Sequence, residues 1–127
     1  MSMQSPLAKV RGLGSAKEGF HHWWSQRLTA VALVPLSLWF IYSLVAITGA
    51  EYTMVITWMS QPLNATLMLL FLFALYYHAG LGVQVVIEDY IDSEWQKIAC
   101  LILVKFLIWL AGLSAAIAVL KIYLGTQ

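Results

Sequence analysis

The chain has 127 residues, of which 61% are hydrophobic and 10% charged, with a formal net charge of +1. Soluble domains carry about 25% charged residues, so most of this surface is not built for water. The length allows one domain, 1–127, and the near-neutral balance, with no basic stripe interleaved with aromatics, excludes a strongly basic nucleic-acid binder.

The first 20 residues are polar and contain Gly12, Gly14 and Gly19, which predicts a partly ordered tail lying on a partner or on the membrane surface. Three apolar runs follow, at 28–48, 63–87 and about 98–124. Each reaches the roughly 20 residues needed to cross the hydrocarbon core. Lipid offers no partner to a free backbone amide, so each run must be a helix. The expected fold class is all-α: an integral membrane protein whose three transmembrane helices form part of a heteromeric helix bundle. The first run starts too late, is too long and has no small-residue cleavage site after it, so it does not read as a cleavable signal peptide. Pro35 is expected to kink that helix. Pro62 fits the first turn of the second helix, where its missing N–H costs little, and Gly125 follows the third span. Cys100, the single cysteine, lies in an apolar run and reads as a packing or lipid-facing residue.

Basic residues set the expected orientation. Lys9, Arg11, Lys17 and Arg27 precede the first span, and the first loop, 49–62, has no basic residue. The second loop, 88–97, holds Lys97. The N-terminus and second loop are therefore expected in the cytoplasm, with the first loop and C-terminus outside. Trp23 and Trp24 on one side and Trp58 on the other suit interfacial belts.

His78 is the one histidine at membrane depth, about 13 Å from the inner end of its helix. An intramembrane imidazole is a functional-site hypothesis by default. Ala74 and Gly82, one turn on either side, leave a clearing suited to a planar macrocycle. An interhelical hydrogen bond from the imidazole to a backbone carbonyl, with small residues for close packing, explains the same residues equally well. Arg27 closes the inner end of the first span, either as a snorkelling anchor or as a fixed cation for the carboxylates of a cofactor at the depth of His78. Asp89 and Tyr90 end the second span at the inner interface; Asp89 falls within about 20° of the face of His78, some 16 Å further along. A phenol and a carboxylate there suit quinone reduction, which needs a hydrogen-bond donor to a carbonyl oxygen and protons from the aqueous side. They also suit an aromatic-belt residue and a solvated helix-end charge. His21 and His22 are too shallow to share a metal with His78, and Lys105 reads as a snorkelling residue. Trp39, Tyr42, Phe71, Phe73, Tyr76, Tyr77 and Trp109 read as large packing residues.

The stretches HHWWSQRLTAVALVPL, ahead of the first span, and YHAGLGVQVVIEDY, closing the second, resemble the smaller hydrophobic anchor subunit of succinate dehydrogenase, respiratory complex II. The second stretch carries that family's pattern of His, Gly four residues on, and Asp-Tyr eleven and twelve residues after the His. The resemblance runs from about Gly19 to the end. It implies that His78 is one axial ligand of a b-type haem and that Arg27 lies near the haem propionates. It further implies that Tyr90 bonds a ubiquinone carbonyl, with Asp89 beside it shaping the site. The implied partners are a second hydrophobic anchor of the cytochrome b type, which would supply the other haem ligand, an iron–sulphur subunit and a succinate-oxidising flavoprotein, all at a lipid membrane.

Two other functions compete. A small proton-coupled oligomeric transporter would use His78 as its substrate site, but predicts charged residues at similar depth in other helices, for which Lys105 is a poor candidate. A purely structural anchor would touch neither cofactor nor quinone. The apparent lack of a presequence favours a bacterial inner membrane, although an organelle-encoded chain would look the same.

Overall fold

The computed structural model describes residues 17–125; of the tail expected over the first 20 residues, 1–16 lie outside the described residues and 17–20 belong to a helix. Four helices follow one another: α1 (Lys17–Ala46), α2 (Tyr52–Met59), α3 (Pro62–Tyr90) and α4 (Glu94–Gly125). Of these, α1, α3 and α4 are long and apolar enough to cross a membrane. The three expected spans are therefore present, each with a polar extension that hydropathy does not mark. Helix α1 starts at Lys17, eleven residues before its apolar run, and continues unbroken through Pro35. Helix α3 opens on Pro62 and carries Glu88, Asp89 and Tyr90 as its last turn. The second loop shrinks to 91–93, and α4 begins at Glu94.

The first loop contains a helix that the sequence analysis treated as loop. Tyr52–Met59 turns Val55, Ile56, Trp58 and Met59 partly inward. Trp58 stacks on Trp39 of α1 with ring centroids 6.0 Å apart. Asn64, buried in the first turn of α3, donates from Nδ2 to the Trp58 carbonyl at 2.8 Å and so fixes the α2–α3 corner. The chain leaves α1 through Gly49 at φ 80°, a left-handed conformation that favours glycine.

Helix α3 is central. It packs on α1 along one side and on α4 along the other, while α1 and α4 do not touch among the described residues. A shared core of Ala65, Met68, Phe71 and Val119 gathers Leu33, Leu36 and Phe40 from α1 around it. Phe40 and Phe71 stack at 4.8 Å. The α3–α4 contact is close because two glycines lie in it: a Cβ on Gly112 would meet the Tyr76 ring at 3.4 Å, and one on Gly80 would meet Ile108 at 3.5 Å.

Little is buried within the chain. Among the described residues no side chain is fully enclosed, and Tyr42, Phe73, Phe106 and Trp109 stand mostly exposed. The apolar window of α4 has no buried residue at all. Such a surface is stable only against lipid or other membrane helices. Of the residues expected to pack, Tyr42, Phe73 and Trp109 stay mostly exposed within this chain, although the Phe73 ring stacks on Tyr77 with centroids 5.9 Å apart. Two hydroxyls inside the spans bond their own helix: Thr66 donates to the Pro62 carbonyl and Ser114 to the Leu110 carbonyl, both at 2.7 Å.

Candidate haem- and quinone-facing site

One stripe of α1 faces α3. It runs through His22, Gln26, Thr29, Leu33, Leu36, Phe40 and Ser43, spaced alternately four and three residues apart. Its middle is apolar and joins the core, whereas the Arg27 end carries a run of polar groups. Opposite that polar run, α3 presents His78 and Gly82.

His78 is half-buried, and both of its ring nitrogens are turned toward α1. Nδ1 lies 3.0 Å from the Thr29 hydroxyl oxygen, and Nε2 lies 3.4 Å from the Gln26 amide nitrogen. The first distance is a good hydrogen bond; the second lies beyond the usual 2.7–3.2 Å and is weak. The interhelical bond expected of this imidazole is therefore made, to a side-chain hydroxyl rather than to a backbone carbonyl. Gly82 is bare, and a Cβ there would meet only Gln26 Nε2, at 3.7 Å. The small-residue clearing is thus real at Gly82, whereas Ala74 on the other side is buried.

An open groove of about 820 Å³ begins beside this cluster, lined among others by His22, Gln26, Arg27, Gly82 and Glu88. Two polar atoms at it, His22 Nε2 and Gln26 Oε1, are buried with no hydrogen-bond partner. An unsatisfied buried polar atom costs about 1–3 kcal/mol, so this end of the chain is chemically incomplete alone. The Arg27 guanidinium lies over the Trp23 ring at 4.4 Å and is otherwise exposed. Glu88, the acid on the same groove, accepts from Gln84 Nε2 at 2.8 Å.

Tyr90 stands apart from the histidine cluster. It is 83% exposed and lines a second, smaller groove with Trp95, Gln96 and Cys100 at the α3–α4 corner. Asp89 is exposed beside it. His78 and Arg27 thus share one neighbourhood through Gln26, while Tyr90 and Asp89 form another at the same end of the helices. Lys105 is exposed on α4, which suits snorkelling. Among the described residues, no three His, Cys, Asp or Glu side chains converge on a point that could hold a bare metal ion.

Sequence reasoning passed over Thr29 and Gln26 and assigned His22 no role. All three lie on the stripe that also supplies Leu33 and Phe40, but α1 has no clear apolar side, so the sequence alone does not show which stripe packs.

Residues 1–112 match the family described as succinate dehydrogenase/fumarate reductase transmembrane subunit. Succinate dehydrogenase hydrophobic membrane anchor subunits are similar along most of their length. That of Rickettsia bellii is 37% identical, covering 91% of this chain and 93% of the relative. That of Rickettsia conorii is 34% identical over 80% and 82%, and that of Paracoccus denitrificans is 29% identical over 95% and 93%. No solved structure matches. The chain is a multi-pass membrane protein, and it belongs to the succinate dehydrogenase/fumarate reductase transmembrane subunit family, with the hydrophobic membrane anchor subunits as its similar members.

Proposed function

We propose that this chain anchors a succinate:quinone oxidoreductase in a bacterial inner membrane, with its N-terminus in the cytoplasm, and that it holds one side of a b-type haem and part of a ubiquinone site. The partners are a second hydrophobic anchor, an iron–sulphur subunit and a flavoprotein. The observation that carries this reading is His78: an imidazole at membrane depth, tied at Nδ1 to Thr29 and met at Nε2 only by a long contact from Gln26, beside a groove that contains Arg27.

The residues present fit a haem. A weak amide contact is readily given up for a metal bond, Gly82 leaves the helix surface flat, and the orphaned atoms of His22 and Gln26 lack a polar partner. His78 would supply one axial nitrogen and Arg27 a planar donor pair for a propionate. When bound, the haem supplies a one-electron iron couple. The second axial ligand must come from the partner anchor, because His21 and His22 lie too far toward the helix end.

The open arrangement supports assembly with other helices. With α1 and α4 held apart by α3, the three spans form a layer that buries few residues and needs covering. Tyr90 and Asp89 are free to meet partner chains and a lipid-soluble quinone. There the Tyr90 phenol donates a hydrogen bond to a quinone oxygen, and the Asp89 carboxylate shapes the aqueous edge of the site. A proton-coupled transporter would require charge opposite His78, where the structure has neutral Thr29 and Gln26.

Purification through a tag on this chain tests the proposal. Flavin, a b-type visible spectrum and succinate-dependent quinone reduction should elute together. A colourless preparation without flavin, from membranes that retain the activity, contradicts it.

A further inference from the structure

Resting on the reading of His78 as a haem ligand, we propose that Thr29 is its positioning residue: the hydroxyl, anchored on its own helix, accepts the Nδ1 proton and leaves the Nε2 lone pair for iron.

The geometry decides where each proton goes. A threonine hydroxyl has one proton and two lone pairs. Thr29 Oγ1 lies 2.8 Å from the Ser25 carbonyl and 3.1 Å from the Gln26 carbonyl, and neither oxygen carries a proton. Two oxygens at 2.8 Å repel unless a proton lies between them, so the hydroxyl proton belongs to a carbonyl. The remaining neighbour, His78 Nδ1 at 3.0 Å, must then be the donor. A neutral imidazole has one N–H; with the proton on Nδ1, Nε2 is bare. The result is a directed chain from the Nδ1 proton through the Thr29 hydroxyl to a backbone carbonyl.

Thr29 is well placed to hold that orientation. It is buried, at 8% exposure, so water does not compete for the bond. Its β-branched side chain is restricted at χ1, and the bond to the preceding turn selects one rotamer. The contact spans two helices, so the ring is fixed relative to α1 as well as α3. A ligating histidine whose second nitrogen donates to an acceptor is a stronger base, and losing such a partner typically costs 10–100-fold in metal affinity.

Thr29→Val tests the hydroxyl alone, because valine has nearly the same shape. In the assembled complex the Val variant should bind haem about tenfold or more weakly. Its haem midpoint potential should rise, because a less basic imidazole stabilises ferric iron less. Its low-spin electron paramagnetic resonance signal should move, and Thr29→Ser should restore the potential and the signal. A Val variant with wild-type potential and signal overturns the proposal, and so does a Ser variant as impaired as Val, which would make Thr29 a packing residue. His78→Ala, prepared in parallel, separates the two layers. An unchanged haem spectrum in that variant defeats the ligand reading itself, whereas a lost spectrum beside an unaffected Thr29→Val defeats only the role of Thr29.

Discussion

Replacing Tyr90 with Phe isolates one oxygen atom. The side chain is 83% exposed within this chain, so removing the hydroxyl creates no cavity in its packing. Surface changes of this kind usually stay within about 0.5 kcal/mol of wild-type stability, and the complex should assemble in normal yield. A hydrogen-bond donor aimed at charge that develops in the transition state is worth roughly 2.7–4 kcal/mol. A tenfold change in rate corresponds to about 1.4 kcal/mol, so quinone reduction should fall about 100-fold to 1,000-fold. Succinate oxidation with a soluble artificial acceptor should continue, since that chemistry is assigned to the flavoprotein. Both assays belong on one preparation, because only their ratio distinguishes a lost donor from poor assembly. Wild-type rates in both would refute the quinone role, leaving Tyr90 an interfacial aromatic.

Arg27→Lys keeps a cation near Trp23 but loses the planar fork that meets a carboxylate at two points. It should preserve membrane insertion and shift haem content or potential, and unchanged values would leave only snorkelling. Gly82→Ala should be tolerated, because its Cβ meets Gln26 Nε2 at an ordinary 3.7 Å. Gly82→Leu should lose haem and cost about 1–3 kcal/mol of stability through overpacking; equal haem content in the two variants would remove the clearing from the site. A reporter fused after Gln127 should be active only outside the cytoplasm, and cytoplasmic activity would reverse the proposed orientation.

The spans were legible because a run such as 28–48 has no charge and lipid permits few alternatives to a helix. Their ends were less so. Glu88, Asp89 and Tyr90 are polar yet complete the last turn of α3, because the backbone ladder continues past the point where hydropathy falls. Helix α1 starts early at Lys17 for the same reason. The short α2 had a signal in Tyr52, Val55, Ile56 and Met59, spaced three, one and three apart as on one helix face, but eight residues give too little periodicity to separate helix from loop.

At the site, His78 was conspicuous because imidazole is costly in lipid. Its partners Thr29 and Gln26 were not, since each is unremarkable within its own helix. They gain meaning only when α1 lies against α3, a pairing of residues 49 and 52 positions apart that the spacing within one helix does not specify. The separation of Tyr90 from the histidine cluster was equally hidden, because it depends on the turn at 91–93 and the start of α4.

The most direct test of the central claim is the reduced-minus-oxidised visible spectrum of the assembled complex carrying His78→Ala, with subunit content measured on the same sample. All subunits should be present, and the low-spin bis-histidine signature should be lost or strongly weakened. An intact complex with the wild-type spectrum would contradict ligation by His78 and reduce it to a packing residue held by Thr29.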